Sequence, residues 1–473
     1  FFSEPMVPFN GTDQGTASSS SALPSVPQSQ SRKEVRTVGQ WYPMRRQHHR
    51  PDPVSGTCTV VIGDRLFWFA GLLADAEQCS NELWVYLFKN EEWSQPACEG
   101  PQPYFVFGHT MVHIGSVIVI HGGKEGGKTA SDRMFLLHYQ RSPMLWQELT
   151  PKGLNPGPRW GHTAIVIDPV PMTPKWSAVH AVRPAGKGVL YFAGMNNLDG
   201  PLNDLWFFDP AAESWTKLVP EPSAQPQPRR RHTAVLHKDL MCIFGGMSNM
   251  QTTEYRRDLA ALHLPTLQWH PLPALHHQYG ARTGHVAEAY NGCMWVFGGF
   301  SQTPDRSKVL SNSLFCFNFE TEVWSRVSTA PSREPISYHD HEPRAAEVDG
   351  VSCIDAAAFR EILRSPPVPR QCTRPHARTM ASAFMHDGCL YITGGRDRKT
   401  TIACDFYIPL PARPQTLLEL VAQYIVDHGI PCEDVLPPQM TEVMKRMPRM
   451  PRPTDCGPSG GWDWSSIYNQ GGP

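Results

Sequence analysis

The chain reads as an all-β fold assembled from one four-strand unit repeated six times, and three observations point to it. A small-residue pair closes a hydrophobic run at six places: Phe69-Ala70-Gly71, His121-Gly122-Gly123, Phe192-Ala193-Gly194, Phe244-Gly245-Gly246, Phe297-Gly298-Gly299 and Thr393-Gly394-Gly395. The second glycines of successive pairs stand 52, 71, 52, 53 and 96 residues apart, so three intervals share one period and two carry insertions of about 19 and 44 residues. Glycine (37) and proline (46) together make about 18% of the 473 residues, above the roughly 12% of ordinary chains. Many short strands joined by turns require that excess.

Further landmarks fix the strands. Downstream of each pair a polar residue precedes an apolar couple: Glu82-Leu83-Trp84, Arg133-Met134-Phe135, Asp204-Leu205-Trp206, Ser313-Leu314-Phe315 and Asp405-Phe406-Tyr407, with Asp258-Leu259-Ala260 a weaker copy. A tryptophan follows at Trp93, Trp146, Trp215, Trp269 and Trp324, nine residues on in four repeats and eleven in one. Upstream of the pair lies Gly108-His109-Thr110, echoed by Gly161-His162-Thr163, Arg231-His232-Thr233, Gly284-His285-Val286 and Arg378-Thr379-Met380. Each unit thus has a first strand after the Gly-His-Thr element and a second ending in the small pair. The third carries the apolar couple and the fourth the tryptophan. Apolar runs of four to six residues bounded by Gly, Pro, Asn and Asp suit strands of stacked sheets. No GxxxxGK[ST] accompanies the glycine pairs, so they read as structural rather than phosphate-binding.

This combination resembles the kelch repeat, whose period is about 50, over residues 38–410. The resemblance implies that each repeat is one blade of a β-propeller. The expected fold is therefore all-β, a six-bladed kelch β-propeller over residues 34–410. The sixth pair has no tryptophan before Pro409, and Trp41 in Val38-Gly39-Gln40-Trp41-Tyr42 supplies one. In this family an N-terminal strand often completes the last blade, which removes exposed edges.

Lys and Arg number 43 against 44 Asp and Glu, a net charge of −1, which excludes a general nucleic-acid or anionic-membrane binder. No apolar run approaches the ~18 residues of a membrane span. Twelve scattered cysteines without a CxxC pair predict neither a zinc ribbon nor a redox couple, and free thiols of a cytoplasmic or nuclear protein are the expectation. The chain opens on Phe1-Phe2 rather than Met, so its natural start is expected upstream, and nothing visible resembles a leader.

Residues 1–33 are rich in Ser, Gln and Pro and predict disorder. One insertion falls near 168–187, inside the third repeat. The other, 331–375, separates the fifth from the sixth and holds a short predicted helix, Asp355–Leu363. From residue 414 to 446 the composition turns helical. Apolar residues at 417, 418, 420, 421, 424 and 425 share one helix face, with Thr416 as cap and Gly429 as stop, and a second helix is expected over Gln439–Arg446. Residues 447–473 are Pro- and Gly-rich and predict a disordered tail.

The helical segment admits two readings. It is a hairpin that packs on the propeller, or it is similar to the SOCS-box or von Hippel–Lindau-box hairpin of ubiquitin-ligase receptors. In the second, Thr416, Leu417 and Ile425 match an elongin BC box, with Val421 where the family has Cys. Leu436, Pro437, Met440 and Met444 then match the cullin box. The resemblance implies elongin B/C and a cullin as partners, through an apolar helix laid in a groove.

The family's recognition face surrounds the channel, at the residue after each Gly pair and the residues ahead of each His-Thr element. Lys124, Arg231, Arg378 and Arg396, with Arg398 nearby, are the candidate client-binding residues, because guanidinium groups grip carboxylates bidentately. They predict an acidic or C-terminal peptide as client. The alternative is that these arginines pair with local carboxylates or face water. The Arg229-Arg230-Arg231 run reads as a solvated loop, since no aromatics interleave it.

Catalysis is not expected. His339-Asp340-His341-Glu342 is the best metal-like cluster, and it falls in a loop. His109, His162, His232 and His285 recur with the repeat, which points to packing rather than one active site. The function expected is a protein-interaction module without cofactor or metal, either a substrate receptor of a cullin–RING ubiquitin ligase or a scaffold subunit of a larger assembly.

Overall fold

Two-residue turns set the local geometry. At Asn291-Gly292 and Asp387-Gly388 both residues take positive φ (47° and 72°, 48° and 72°), the turn whose twist suits antiparallel neighbours. Each joins the first and second strands of a sheet, with Tyr290 opposite Cys293 and His386 opposite Cys389.

The structure is a computed structural model that describes residues 36–411, apart from 45–48, 74–77, 105, 127–128, 169–186, 221–223, 249–253, 277–279, 303–306, 333–335, 339–369, 398–400 and 403–404. The expected helices over 355–363, 414–446 and the two tails lie outside the described residues, which contain no α-helix.

The fold is all-β and propeller-type. Sheet one comprises Cys58–Ile62, Arg65–Leu72, Cys79–Leu87 and Glu92–Ser94. Sheet two has Thr110–Ile114, Val117–His121, Met134–His138 and Met144–Leu149, with Cys98–Glu99 added in parallel at its rim. Sheet three has Thr163–Ile167, Gly188–Asn196, Gly200–Asp209 and Ser214–Leu218; sheet four has Thr233–His237, Leu240–Phe244, Leu259–His263 and Gln268–Leu272. Sheet five has Val286–Tyr290, Cys293–Phe297, Leu314–Asn318 and Val323–Val327. Sheet six has Ser382–His386, Cys389–Thr393 and Phe406–Pro409, and Tyr42–Pro43 pairs with the last of these, Tyr42 opposite Tyr407. The first strand of each sheet packs beside those of two neighbours, and the series returns from sheet six to sheet one.

A ring of backbone hydrogen bonds joins the sheets at one end of the first strands. The amide of Gly108 donates to Gly56 O (3.0 Å), Gly161 to Gly108 (2.8 Å), Arg231 to Gly161 (2.8 Å), Gly284 to Arg231 (3.0 Å), Met380 to Gly284 (2.8 Å) and Gly56 to Met380 (2.7 Å). All six residues have φ between 53° and 70°. One step outward, the second glycine of a pair donates to the next sheet: Gly123 to Arg159 O, Gly194 to Arg229 O, Gly246 to Arg282 O, Gly299 to Arg378 O and Gly395 to Val54 O, at 2.8–3.0 Å.

Side chains repeat the same logic. The fourth-strand tryptophan packs on the residue before the small pair of the preceding sheet: Trp146 on Phe69 (5.2 Å), Trp269 on Phe192 (5.2 Å), Trp324 on Phe244 (4.9 Å) and Trp215 on His121 (5.2 Å). Trp41 packs on Phe297 at 5.6 Å and is buried with Ile392, Phe406 and Ile408, so it holds the same place for sheet six. Inside, Thr110 shares a hydrogen bond with His162 Nε2 (3.0 Å), Thr163 with His232 (2.9 Å) and Thr233 with His285 (2.9 Å). The repeated His-Thr element is thus a tie from each of these sheets to the next.

Two predictions follow from this packing. A Cβ at Gly246, where φ is +97°, would lie 2.8 Å from His232 Cβ and 2.9 Å from Arg230 O. Gly246→Ala should therefore destabilise by about 2–3 kcal/mol, read as a fall in the urea midpoint at unchanged slope. The second concerns acid. Burial drives His109 and His121 down to about 3 and holds His162, His232 and His285 well below the usual histidine range. These imidazoles stay neutral in the fold, whereas the unfolded chain takes up protons near pH 6.5. Their stability contribution is complete above about pH 6.5 and is lost as pH falls toward 3, by up to roughly 1.4 kcal/mol per histidine per pH unit. Melting temperatures at pH 7, 6 and 5 should drop progressively, and a flat profile would contradict the buried ties.

Candidate functional site

Beside the ring of hydrogen bonds lies a cavity of ≈ 840 Å³ whose lining includes Arg231 and Met380 of the ring, Thr379, Arg396 and Asp397 of the sixth unit, Lys308, and the apolar Leu72, Phe107 and Phe300. Next to the ring is a second set of pairs, of which Leu72, Phe107, Phe300, Thr379 and Arg396 line the cavity. The residue after each small pair bonds across to the residue just ahead of the ring: Ser55 faces Leu72, Phe107 faces Lys124, Trp160 faces Met195, Arg230 faces Met247, Thr283 faces Phe300 and Thr379 faces Arg396.

Positive charge gathers at Trp160. Arg230 Cζ lies 4.7 Å from its ring, Arg231 Cζ 5.0 Å and Lys124 Nζ 5.2 Å. Burial, then the charges of Arg230 and Arg396, push the Arg231 guanidinium down to about 10, and burial with Arg230 and Arg231 lowers Lys124. Among the described residues no carboxylate is in ion-pair contact with Arg230, Arg231 or Arg396.

Of the candidate client residues, Arg231 and Arg396 line the cavity and Lys124 stands at Trp160 beside it. Arg378 does not. It is 1% exposed, and its Nη1 donates to Gly394 O at 2.9 Å. Arg159, Arg229 and Arg282 make the same bond to Ala193, Gly245 and Gly298 at 2.9–3.1 Å, and all four are fully buried. The alignment of Arg378-Thr379-Met380 with Gly-His-Thr is thus two residues out of step: Met380 takes the glycine place in the ring, and Arg378 heads the element as Arg159, Arg229 and Arg282 do. Asp204 pairs with Arg159 (2.9 Å) and Asp258 with Arg229 (2.6 Å), so the polar residue ahead of the apolar couple anchors these arginines.

The Arg229-Arg230-Arg231 run is not a solvated loop, because Arg229 is buried and the other two stack on Trp160. Sequence reading missed Trp160, Arg230, Lys308 and Met380. The signal was present at the position ahead of the ring, which the His-Thr alignment left unused. Arg398, the adaptor candidates Thr416, Leu417, Val421, Ile425, Leu436, Pro437, Met440 and Met444, and the His339–Glu342 cluster lie outside the described residues. Among the described residues no group of three His, Cys, Asp or Glu could hold a metal ion, and no helix is long and apolar enough to cross a membrane.

Four residues past each ring position, within the first strands, stand Val60, Val112, Ile165, Val235, Glu288 and Phe384. Burial raises the Glu288 carboxyl to about 8. A carboxyl held protonated in the fold but ionised in the unfolded chain loses stability as pH rises from about 4.5 to 8. Glu288→Val should therefore raise the melting temperature, by a margin that grows between pH 5 and pH 8. A gain that shrinks over that range would contradict the carboxyl's burial.

The profile of the attractin/LZTR1 beta-propeller family matches residues 28–305 and 173–341. The leucine-zipper-like transcriptional regulator 1 homolog of Drosophila melanogaster is 25% identical over 57% of this chain and 26% of its own length. Human host cell factor 1 is 28% identical over 59% of this chain and 14% of its own. Kelch domain-containing protein 10 of Xenopus laevis is 24% identical over 61% of this chain and 64% of its own. The chain therefore spans less than two thirds of the length of these relatives. A single profile matching more than half of the residues, over sheets that pack in one repeated pattern, places the chain in the attractin/LZTR1 β-propeller family.

Proposed function

We propose that the six sheets are the six blades of one closed ring, and that the ring is a non-enzymatic protein-interaction module. Its best-supported role is substrate receptor of a cullin–RING ubiquitin ligase in the cytoplasm or nucleus. An acidic or C-terminal peptide of the client occupies the cavity lined by Arg231 and Arg396. An elongin-type adaptor binds through Thr416, Leu417, Val421 and Ile425, with the cullin at Leu436, Pro437, Met440 and Met444. The observation that carries the client half is a cavity lined by Arg231 and Arg396, neither of which is in ion-pair contact with a carboxylate among the described residues, in a chain of net charge −1. Three cationic side chains against the single carboxylate of Asp397 favour an anionic partner.

A second reading, a scaffold subunit of a larger assembly, draws support from the hairpin Ile336–Tyr338 with Arg370–Cys372. Among the described residues these two strands pair with each other and with none of the six sheets.

Pull-down from source cells with the intact chain and with Leu417→Asp separates the two. The receptor reading expects elongin and a cullin with the intact chain and at least a tenfold loss with the variant, at unchanged melting temperature. Recovery of a fixed set of other subunits without elongin would sink it in favour of the scaffold.

A further inference from the structure

The ring has four glycines and two exceptions, Arg231 (φ 53°) and Met380 (φ 55°). Left-handed backbone strains any residue with a Cβ, and such strain persists where the surroundings over-determine it. Both exceptional side chains line the cavity. Glycine would satisfy the ring at either position, so the ring itself does not explain these two residues.

Trp160 organises the cations around Arg231. A guanidinium stacked on an aromatic face keeps its in-plane N–H groups for a ligand. Arg230 and Arg231 both stack on this indole, at 4.7 and 5.0 Å, and Arg230 Nε is buried without a hydrogen-bond partner. Lys124 Nζ reaches the same ring at 5.2 Å, so three cations surround one side chain. They crowd one another: beyond burial, the charge of Arg230 lowers both Arg231 and Lys124, and that of Arg231 lowers Lys124.

We propose that Trp160, Lys124, Arg230 and Arg231, together with Arg396, form a subsite for a dianionic phosphoryl group on a client peptide, as phosphoserine or phosphothreonine. This deepens the receptor reading and rests on it. A phosphoryl group carries about −1.5 to −2 charge and three acceptor oxygens, which suits several fixed donors converging on one point. A single carboxylate offers one charge and two oxygens. Leu72, Phe107, Phe300 and Met380 provide an apolar wall for a neighbouring side chain of the same peptide.

The test uses the full chain and three degenerate peptide libraries that differ only at the central residue: phosphoserine, aspartate or serine. The phosphoserine library should bind about tenfold or more tightly than the aspartate library, and millimolar inorganic phosphate at constant ionic strength should compete. Arg231→Gly should lose at least tenfold in affinity while its melting temperature holds or rises, because glycine relieves the strain. Arg396→Gln supplies a second variant without a backbone effect and should also weaken binding. Equal binding of the phosphoserine and aspartate libraries overturns the phosphoryl assignment and leaves the acidic-peptide reading standing. Binding of none of the libraries overturns both, and full binding by both variants places the anion elsewhere.

Discussion

Closure depends on six backbone hydrogen bonds of 2.7–3.0 Å, each of which crosses from one sheet to the next. None can form unless the residue that donates it turns into the left-handed region, so φ is positive at all six. That left-handed φ favours glycine, and Gly56, Gly108, Gly161 and Gly284 supply it at four of the six positions. The glycine pairs repeat the constraint one step outward. A Cβ on Gly298 would meet Arg378 O at 2.9 Å, and one on Gly394 would meet Val54 O at 2.8 Å. Tryptophan from each fourth strand then fills the wider gap at the rim, where sheets fanned about an axis must diverge. Small residues near the axis and large ones outside are one requirement expressed at two radii.

Within that frame the polar interior is consistent rather than anomalous. Arg159, Arg229, Arg282 and Arg378 are almost without solvent exposure, yet each bonds a carbonyl at the end of its own sheet's second strand, and two hold an aspartate as well. Those carbonyls sit beside glycine or alanine turns and have lost their ladder partners, so a buried donor there prevents an unsatisfied acceptor. The histidines act similarly through the threonine hydroxyls. Charge that would oppose folding if unpaired instead fixes the head of the first-strand element to the end of the second strand in sheets three to six. By contrast, among the described residues the guanidinium groups of Arg230 and Arg231 bond no carbonyl of this kind, and that difference separates them from the arginines of the frame.

Much of this architecture was legible in the sequence because a repeated physical requirement leaves a repeated residue. The 52-residue spacing, the small pairs and the tryptophans all reappear as contacts, and Trp41 could be assigned to the sixth unit by its absence there. Legibility failed where one residue type serves two ends. Arg378 belongs to the frame and Arg231 to the cavity, yet a sequence shows only two arginines near corresponding landmarks. The sixth unit also lacks both glycine and histidine in its first element, so its register could be settled only by seeing Met380 donate to Gly284. Trp160 escaped notice for a related reason. Its neighbours along the chain say nothing of Arg230, which comes to it from the next sheet.

The seam between sheets six and one is built differently from the rest. Sheets three to six each place an arginine at the head of the first-strand element, whereas sheets one and two have Val54 and Val106 there. The closing seam instead holds Trp68, Trp84, Tyr86, Trp93, Phe384 and Tyr391, with Tyr407 packed against them. Tyr391 stacks on Phe384 at 4.9 Å and on Tyr407 at 4.9 Å, and Tyr42 from the N-terminal strand extends the stack at 5.5 Å. Aromatic surface is large and weakly directional, whereas a buried guanidinium demands one geometry. The last joint must bring together segments more than 300 residues apart in the chain, and long-range pairing forms slowly because its loop-closure entropy comes first. A seam that tolerates imperfect docking while it buries apolar area is the physically suitable one for that place. The directional arginine ties lie instead inside sheets three to six, each to a carbonyl at the end of that sheet's own second strand.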